Sequence, residues 1–381
     1  MHLLVHALSC TNLSGRQVLC GHLTEMLRRA DASHRFALLH HAGNVDLISM
    51  LEQAWGGPLP ERLVVREASP STAHWSGRVV HDQLSLPSLI RQLKVDAVLT
   101  LSGTYLRDLP CPQFTLALNP WAFVTCAHRT VSARLKAALQ RHAYRRAVKR
   151  ADGIGYGSAY MMDLYRKNAG AEERRGAVVY PAFGQAEIGE MDAVANSALE
   201  REPCSVVCVS LMARHKNIET LLRVIKSLRE QHDCPATLRL VGGWPDASYR
   251  TEIEAEIERL NLSGVVEITG HVSREVLLQS CARAKVYALL SRSESFGIPA
   301  VEAQWMGTPV VAATGCAAPE VCGEGGRYVP TDDVEGASDA LIKLLTNTGE
   351  WSRRSRLARE NARRFQYAKT TPVLMELMGL A

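Results

Sequence analysis

Short apolar runs bounded by turn residues alternate along this chain with longer segments of helical period. In the first half, Leu3–Leu8, Phe36–His40, Ala97–Leu101, Phe114–Leu118 and Gly153–Tyr156 predict strands, and Val18–Arg29 and Ser132–Lys149 predict helices. In the second half, Ser205–Val209, Leu238–Val241, Val266–Thr269, Val286–Leu290 and Pro309–Ala313 predict strands. Helices are expected between them at Ile218–Gln231, Tyr249–Leu260 and Arg274–Ala284. Near-continuous apolar strands separated by helices belong to parallel sheets covered on both faces. The pattern therefore predicts an α/β protein of two Rossmann-like domains facing a cleft. The stretch 183–203, poor in aromatics and mixed in charge, is the expected linker between a domain at 1–182 and one at 204–362. Gly153-Ile-Gly155-Tyr-Gly157 lacks the Gly-x-Gly-x-x-Gly spacing and a suitably placed acidic residue, so it is not a dinucleotide fingerprint.

Composition adds limits. A chain of 381 residues, 46% hydrophobic and 22% charged, accommodates two soluble domains. No apolar run approaches the ~20 residues that span a bilayer. The opening Met-His-Leu-Leu-Val-His reads as a first strand rather than a leader, because it lacks a basic n-region and a small-residue cleavage site. The 10 cysteines form no Cys-x-x-Cys pair, and a reduced, cytoplasmic thiol set is expected rather than disulfides or a metal site.

Charge is unevenly shared. Residues 1–181 hold 22 Lys/Arg and 13 Asp/Glu, a net of +9, and the remainder holds 22 and 26, a net of −4. The first half is thus expected to face an anionic partner. Arg134–Arg150 concentrates cations with Leu135, Leu139, His142 and Val148 between them. Such a helix suits an anionic membrane surface, which would make the protein peripheral on the inner face of the cell membrane. Packing of its leucines and alanines on the sheet is the plainer alternative. Nucleic acid is not expected, since no aromatic stacking platform accompanies the charges.

The chemistry concentrates at Ser291–Glu302, Ser-Arg-Ser-Glu-Ser-Phe-Gly-Ile-Pro-Ala-Val-Glu. Glu294 falls in a loop at the carboxyl end of a strand, where open α/β sheets bind ligands. Phe296, Gly297 and Ile298 open the next helix, where N–H groups and the dipole favour an anion. Glu302 lies further along that helix. Two carboxylates flanking a phosphate site match the hydroxyls and charges of a nucleotide sugar.

Glu294 and Glu302, spaced Glu-x7-Glu around Ser-Phe-Gly, resemble the signature of retaining glycosyltransferases of family 4, which have the GT-B fold. The resemblance implies that Glu302 holds the ribose, that Glu294 holds sugar hydroxyls, and that Ser295, Phe296, Gly297 and Ile298 border the donor. It also implies that the segment 363–381, with the helical Ala368–Leu380, crosses back onto the first domain. Ser210–Asn217 resembles the family's Gly-Arg-x5-Lys loop, whose cations hold the donor diphosphate. Lys216 matches the lysine, but Leu211 stands at the arginine position, and Arg214 is expected to take its place. Gly242, and Gly270 with His271 and Val272, end strands where relatives frame the donor and its base. Thr314–Glu320 resembles a donor-bordering loop, with Glu320 read as a helix-start residue. In the first half, Gly15 and Arg16 lie in a loop similar to the family's first glycine-rich loop. Asn119 sits where relatives carry His-Asn, with Leu118 replacing the histidine and His128 nearby.

The resemblance thus implies transfer of a sugar from a UDP- or GDP-type nucleotide-diphosphate sugar to a glycan or lipid-linked acceptor. Bacterial cell-surface polysaccharide or lipopolysaccharide assembly is the expected setting, with mannose among the donor sugars. No further cofactor and no metal are expected, since cationic side chains serve the diphosphate. Two alternatives stay open: a nucleotide-sugar epimerase of the same fold, and a non-enzymatic binder of anionic surfaces.

Overall fold

The computed structural model describes residues 1–380 apart from 45, 107, 108 and 198. The chain forms two compact units: Met1–Phe123 with Thr130–Gln185 and Phe365–Ala381, and Val124–Arg129 with Ala186–Arg364.

In the first unit, seven parallel strands run β1 (His2–His6), β2 (Arg35–His40), β3 (Leu63–Glu67), β4 (Ala97–Thr100), β5 (Gln113–Ala117), β6 (Gly153–Tyr156) and β7 (Gly176–Val178) along the chain. Their order in the sheet is β3-β2-β1-β4-β5-β6-β7. The second unit has β8 (Ser205–Val209), β9 (Thr237–Val241), β10 (Val266–Gly270), β11 (Val286–Leu289), β12 (Val310–Ala313) and β13 (Gly326–Val329). Its order is β10-β9-β8-β11-β12-β13, again all parallel. Strand order reverses between β1 and β4 and between β8 and β11. At such a switch point the connections leave in opposite directions and open a crevice at the carboxyl ends of the strands.

Every strand expected from the pattern is present within a residue or two of its expected ends. Three more appear, β3, β7 and β13, each at a sheet edge. Edge strands are only partly covered, and the half-polar Leu-Val-Val-Arg-Glu and Gly-Ala-Val lack the apolar run that marked their neighbours. The expected linker stretch carries the helix Gln185–Ala195, which groups with the second unit.

The terminal helix Tyr367–Met378 belongs to the first unit. Leu374, Leu377 and Met378 join Leu3, Val5, Leu19 and Leu23 in one buried cluster. Gly21 allows the approach, since a Cβ there would fall 1.8 Å from the Tyr367 ring. His22 completes the seam: its Nδ1 lies 2.9 Å from Thr371 Oγ1, and its ring meets Tyr367 edge-on. Burial drives the His22 pKa down to about 3, so the ring is neutral.

The basic helix Val131–Arg150 differs from the plain packed alternative. Ala137, Tyr144, Ala147 and Val148 face the core, while Val131, Leu135 and Leu139 are 82%, 62% and 63% exposed. Arg141 and Arg145 donate to the Ala122 and Asn168 carbonyls, whereas Lys149 and Arg150 project into solvent. The helix Trp75–Leu84 is also turned outward. It buries no residue, exposes Trp75 and Leu84, and directs Arg78 to the Leu8 carbonyl and Asp82 to His6. The donor atoms of His6, His81 and Asp82 lie within 4.8 Å of one another. No helix among the described residues is long and apolar enough to cross a membrane.

Candidate active site

The second unit gathers its chemistry at the switch point between β8 and β11. After β8 the chain makes a single 3₁₀ turn, Arg214–Lys216, and then Asn217 with φ of 61° before the helix Ile218–Glu230 begins. Lys216 therefore precedes the helix rather than occupying its first turn. A left-handed conformation is unfavourable for a residue with a Cβ. Here the buried amide of Asn217 offsets it, donating to the Leu290 carbonyl and to Asp332 Oδ1, both at 3.0 Å. These bonds fix the direction in which Lys216 leaves the loop.

Lys216 Nζ reaches Glu294 Oε2 at 2.5 Å, and the two side chains are only 13% and 14% exposed. The sequence candidates from the two loops are thus brought together. Arg292 ties the same loops: its N–H donates to the His215 carbonyl at 2.7 Å, and its guanidinium pairs with Glu219 and Asp332, each at 2.8 Å. Burial, and then the Lys216 charge, lower the His215 pKa to about 4, with Glu294 opposing. His215 is a neutral neighbour of the pair.

Beyond Glu294, Gly297 caps the helix Ile298–Trp305 with φ of 91°, a conformation that favours glycine. Pro299 removes one N–H from the opening turn, and Ala300 bonds back to the Gly297 carbonyl at 3.0 Å. The Gly297 and Ile298 amides lead that turn. Phe296 is buried beneath it, next to Ser295. The Ala317 amide donates to the Glu294 carbonyl, bringing the Thr314–Glu320 loop beside the glutamate.

Glu302 is 3% exposed and is held by Arg274, whose Nη1 lies 2.6 Å from its Oε1. Arg274 Nε in turn meets Glu190 at 2.7 Å, and Arg274 Nη2 is buried without a hydrogen-bond partner. Burial raises the Glu302 pKa, and the Arg274 charge and hydrogen bond oppose the rise. Sequence reasoning missed Arg274, Arg292 and Asn217. A signal existed for Arg274, which opens the helix Arg274–Arg283, where a cation opposes the dipole unless an anion faces it.

Other candidates find different settings. Arg214 pairs with Glu252 through two bonds of 2.5 and 2.7 Å, meets Asp246 at 3.3 Å, and stacks over Tyr249. Its guanidinium is turned toward the helix Ala247–Arg259, and Glu252 raises its pKa. Gly242, with φ of 137°, lets two loops touch, because a Cβ there would fall 1.9 Å from the Ser210 carbonyl oxygen. Its N–H donates to the carbonyl of Gly270, which is followed by exposed His271 and half-buried Val272. In the first unit, the Gly15 amide donates to Asn12 Oδ1 as part of a helix cap, and Arg16 pairs with Asp46 at 3.1 Å. Asn119 accepts from the Trp121 amide in a local turn. His128 is buried, in the segment Val124–Arg129 that groups with the second unit.

Residues 193–365 match the family model described as glycosyl transferases group 1. Those residues belong to that family. A D-inositol 3-phosphate glycosyltransferase of Saccharomonospora viridis is 35% identical over 144 residues, 36% of this chain and 33% of that protein. An MMP alpha-(1->4)-mannosyltransferase of Mycolicibacterium hassiacum is 34% identical over 141 residues, 36% of this chain and 33% of that protein. The matched stretch thus spans about a third of the curated relatives' length. Similarity of fold extends over the whole chain. Sucrose-phosphate synthase from Thermosynechococcus elongatus superposes with a TM-score of 0.74 at 16% identity, covering 100% of this chain and 98% of its own. HepE of Anabaena, solved with UDP-glucose, gives 0.70 at 18%, covering 100% of each. WaaG, a glycosyltransferase involved in lipopolysaccharide biosynthesis, gives 0.65 at 14%, covering 99% of each. The two Rossmann-like units are those of the GT-B glycosyltransferase fold.

Proposed function

We propose that this protein is a retaining glycosyltransferase that moves a sugar from a nucleotide-diphosphate sugar to a glycan or lipid-linked acceptor. The observation that carries the reading is the Lys216–Glu294 pair at the switch point of the group 1 domain, with Glu302 on the helix that follows. Breaking the bond between the anomeric carbon and the β-phosphate oxygen leaves a diphosphate with added negative charge. Lys216 and the Gly297 and Ile298 amides stabilise that charge. Glu294 orients the sugar through its hydroxyls while sharing Lys216, and Glu302 accepts from the ribose hydroxyls. The acceptor oxygen bonds to the anomeric carbon on the face the diphosphate leaves, and its proton passes to the departing phosphate oxygen. No protein nucleophile is required, and configuration is retained.

HepE is a relative in fold that was solved with UDP-glucose, and mannosyltransferases are among the sequence relatives. Both support a UDP- or GDP-sugar donor and, with WaaG, a role in cell-surface glycan assembly. The exposed Val131, Leu135 and Leu139, with Lys149 and Arg150 at the far end of the same helix, support docking on an anionic membrane face, where a lipid-linked acceptor resides.

The test is a screen of UDP- and GDP-sugars, by calorimetry and by NMR of the anomeric proton of the product. Transfer to an acceptor, or slow donor hydrolysis, with α-donor giving α-product, is expected. Conversion of donor into a different sugar nucleotide without acceptor would make it an epimerase, and no nucleotide binding would leave only the surface-binding role.

A further inference from the structure

The helix Thr348–Ala362 and the chain packed beneath it gather cations that carboxylates do not balance. Arg201 donates to the Ala284 carbonyl, to Thr308 Oγ1 and to the Met306 carbonyl, at 2.6, 2.8 and 2.6 Å. Arg359 Nη2 donates to that same Met306 oxygen at 3.3 Å, so two guanidinium groups converge on one carbonyl. Lys285 and Arg201 both lie over the Trp351 indole, at 4.3 and 4.9 Å from its centroid. Among the described residues, none of Arg201, Lys285 and Arg359 forms an ion pair with a carboxylate. Repulsion is the consequence. Burial and then Arg359 pull the Arg201 pKa down to about 10, and burial and then Arg201 lower that of Lys285.

Beside Arg359 and the Trp351 ring, which separates it from Arg201 and Lys285, opens a cavity of ≈ 370 Å³, lined by Arg356, Arg359 and Arg363 with Ser352, Ser355 and Trp351. Glu360 also lines it, but is taken up by Arg356 at 3.2 Å. Trp351 of the cavity wall donates to the carbonyl of Lys285, which immediately precedes β11, whereas Lys216 and Glu294 follow the carboxyl ends of β8 and β11. The cavity is therefore separate from the site already described.

We propose that this cavity is an oxyanion site that takes a phosphate group. Guanidinium forks and hydroxyls are the donors that suit a tetrahedral oxyanion. A bound phosphate also supplies the counter-charge that Arg359 lacks among the described residues, with Arg201 and Lys285 adding positive field from behind Trp351. A soluble phosphorylated compound and a lipid headgroup present the same oxygens to such a site.

Inorganic phosphate titrated calorimetrically into wild type, Lys216→Gln, Arg359→Gln and Arg363→Gln tests the site, with thermal unfolding to confirm that each variant is folded. Lys216→Gln removes phosphate binding at the switch point and should leave a component that both arginine variants weaken. Removing one charge-assisted hydrogen bond should lower that component's affinity about ten-fold or more. Co-sedimentation with phosphatidylcholine vesicles, with or without phosphatidylglycerol, identifies the source. Weaker vesicle binding by Arg359→Gln and Arg363→Gln would assign a lipid headgroup, and unchanged vesicle binding a soluble phosphate. Phosphate affinities in Arg359→Gln and Arg363→Gln equal to wild type would overturn the proposal.

Discussion

Lys216 and Glu294 are 78 residues apart in sequence, yet Nζ and Oε2 meet at 2.5 Å in a setting that excludes most water. A partly buried pair of this kind suffers when either partner is removed, because the other charge remains desolvated. In the proposed function the pair would present a cation to an arriving diphosphate while holding a carboxylate for the sugar. Lys216→Ala should lower nucleotide-diphosphate affinity by roughly ten- to a hundredfold, the worth of one charge-assisted hydrogen bond. Glu294→Gln should depress turnover more than nucleotide affinity. Calorimetry with the nucleotide and single-turnover transfer separate the two, and a double-mutant cycle should show strong coupling.

If Glu302 holds the ribose as proposed, the Arg274–Glu302 contact should tie nucleotide binding to pH. Burial raises the Glu302 pKa and Arg274 opposes that rise, with Glu187 and Glu190 acting in the same direction as burial. Replacing Arg274 by Gln removes the opposing charge, so the pKa moves further up. A carboxyl with a raised pKa is protonated as pH falls and then ceases to accept from two ribose hydroxyls. Nucleotide affinity in Arg274→Gln should therefore fall at a higher pH than in wild type as the solution is acidified, and recover as pH rises. Wild type should hold its affinity to lower pH, and Arg274→Lys should behave nearly like wild type. Parallel shifts in all three profiles would mean that Arg274 does not act through Glu302.

Gly242 bears on stability rather than chemistry. Its φ of 137°, and the 1.9 Å that would separate a Cβ from the Ser210 carbonyl oxygen, leave no room for a side chain between the loops after β8 and β9. Gly242→Ala should cost about 1–3 kcal/mol, as backbone strain of this kind does. Denaturant unfolding measures it. A stability unchanged from wild type would show that the loops part easily.

His22 sets an acid limit on the first unit. Its pKa is lowered from 6.5 to about 3 by burial against the terminal helix. The unfolded chain therefore binds a proton that the folded chain refuses, and stability is lost as pH falls from about 6.5 toward 3. The loss should reach several kcal/mol, given about 1.36 kcal/mol per pKa unit. His22→Gln should remove this slope, seen as a flatter dependence of thermal midpoint on pH across that window.

Much of the fold was legible because interior strands of a parallel sheet are apolar on both faces. Ser205–Val209 and Gly153–Tyr156 were placed to the residue. β3, β7 and β13 escaped because their short or half-polar segments carry no such run, whereas β10, also at an edge, could be read from Val266–Thr269. Within the site, Lys216, Glu294 and Glu302 were legible as charges at strand ends and near a helix start. Arg274 and Arg292 were not, because their roles depend on carboxylates from 28 to 84 residues away in the chain. Arg214 shows the converse: its place in the loop suggested a second cation for the diphosphate, while Glu252, 38 residues on, engages its guanidinium. Helical period alone also could not decide which way Val131–Arg150 faces. Alanines on the buried side and leucines on the open side invert the usual preference.

That inverted face should bind anionic lipid. Val131, Leu135 and Leu139 lie one turn apart on the exposed side, and Lys149 and Arg150 extend the same helix in charge. Apolar side chains that enter the acyl boundary and cations that meet anionic headgroups act additively on a membrane. Each Lys or Arg near the surface contributes about 1 kcal/mol. Arg141 and Arg145 are occupied by carbonyls of their own unit, so the test falls on the outward residues. Leu135→Ser with Leu139→Ser should weaken binding to anionic vesicles at every salt concentration. Lys149→Gln with Arg150→Gln should weaken it chiefly at low salt, since exposed charges are screened over ~8–10 Å at physiological ionic strength. Nucleotide affinity should survive both pairs, because Lys216, Glu294 and Glu302 belong to the other unit. Vesicle co-sedimentation across a salt series is the measurement. Equal binding by wild type and both pairs would show that the exposed leucines meet something other than lipid.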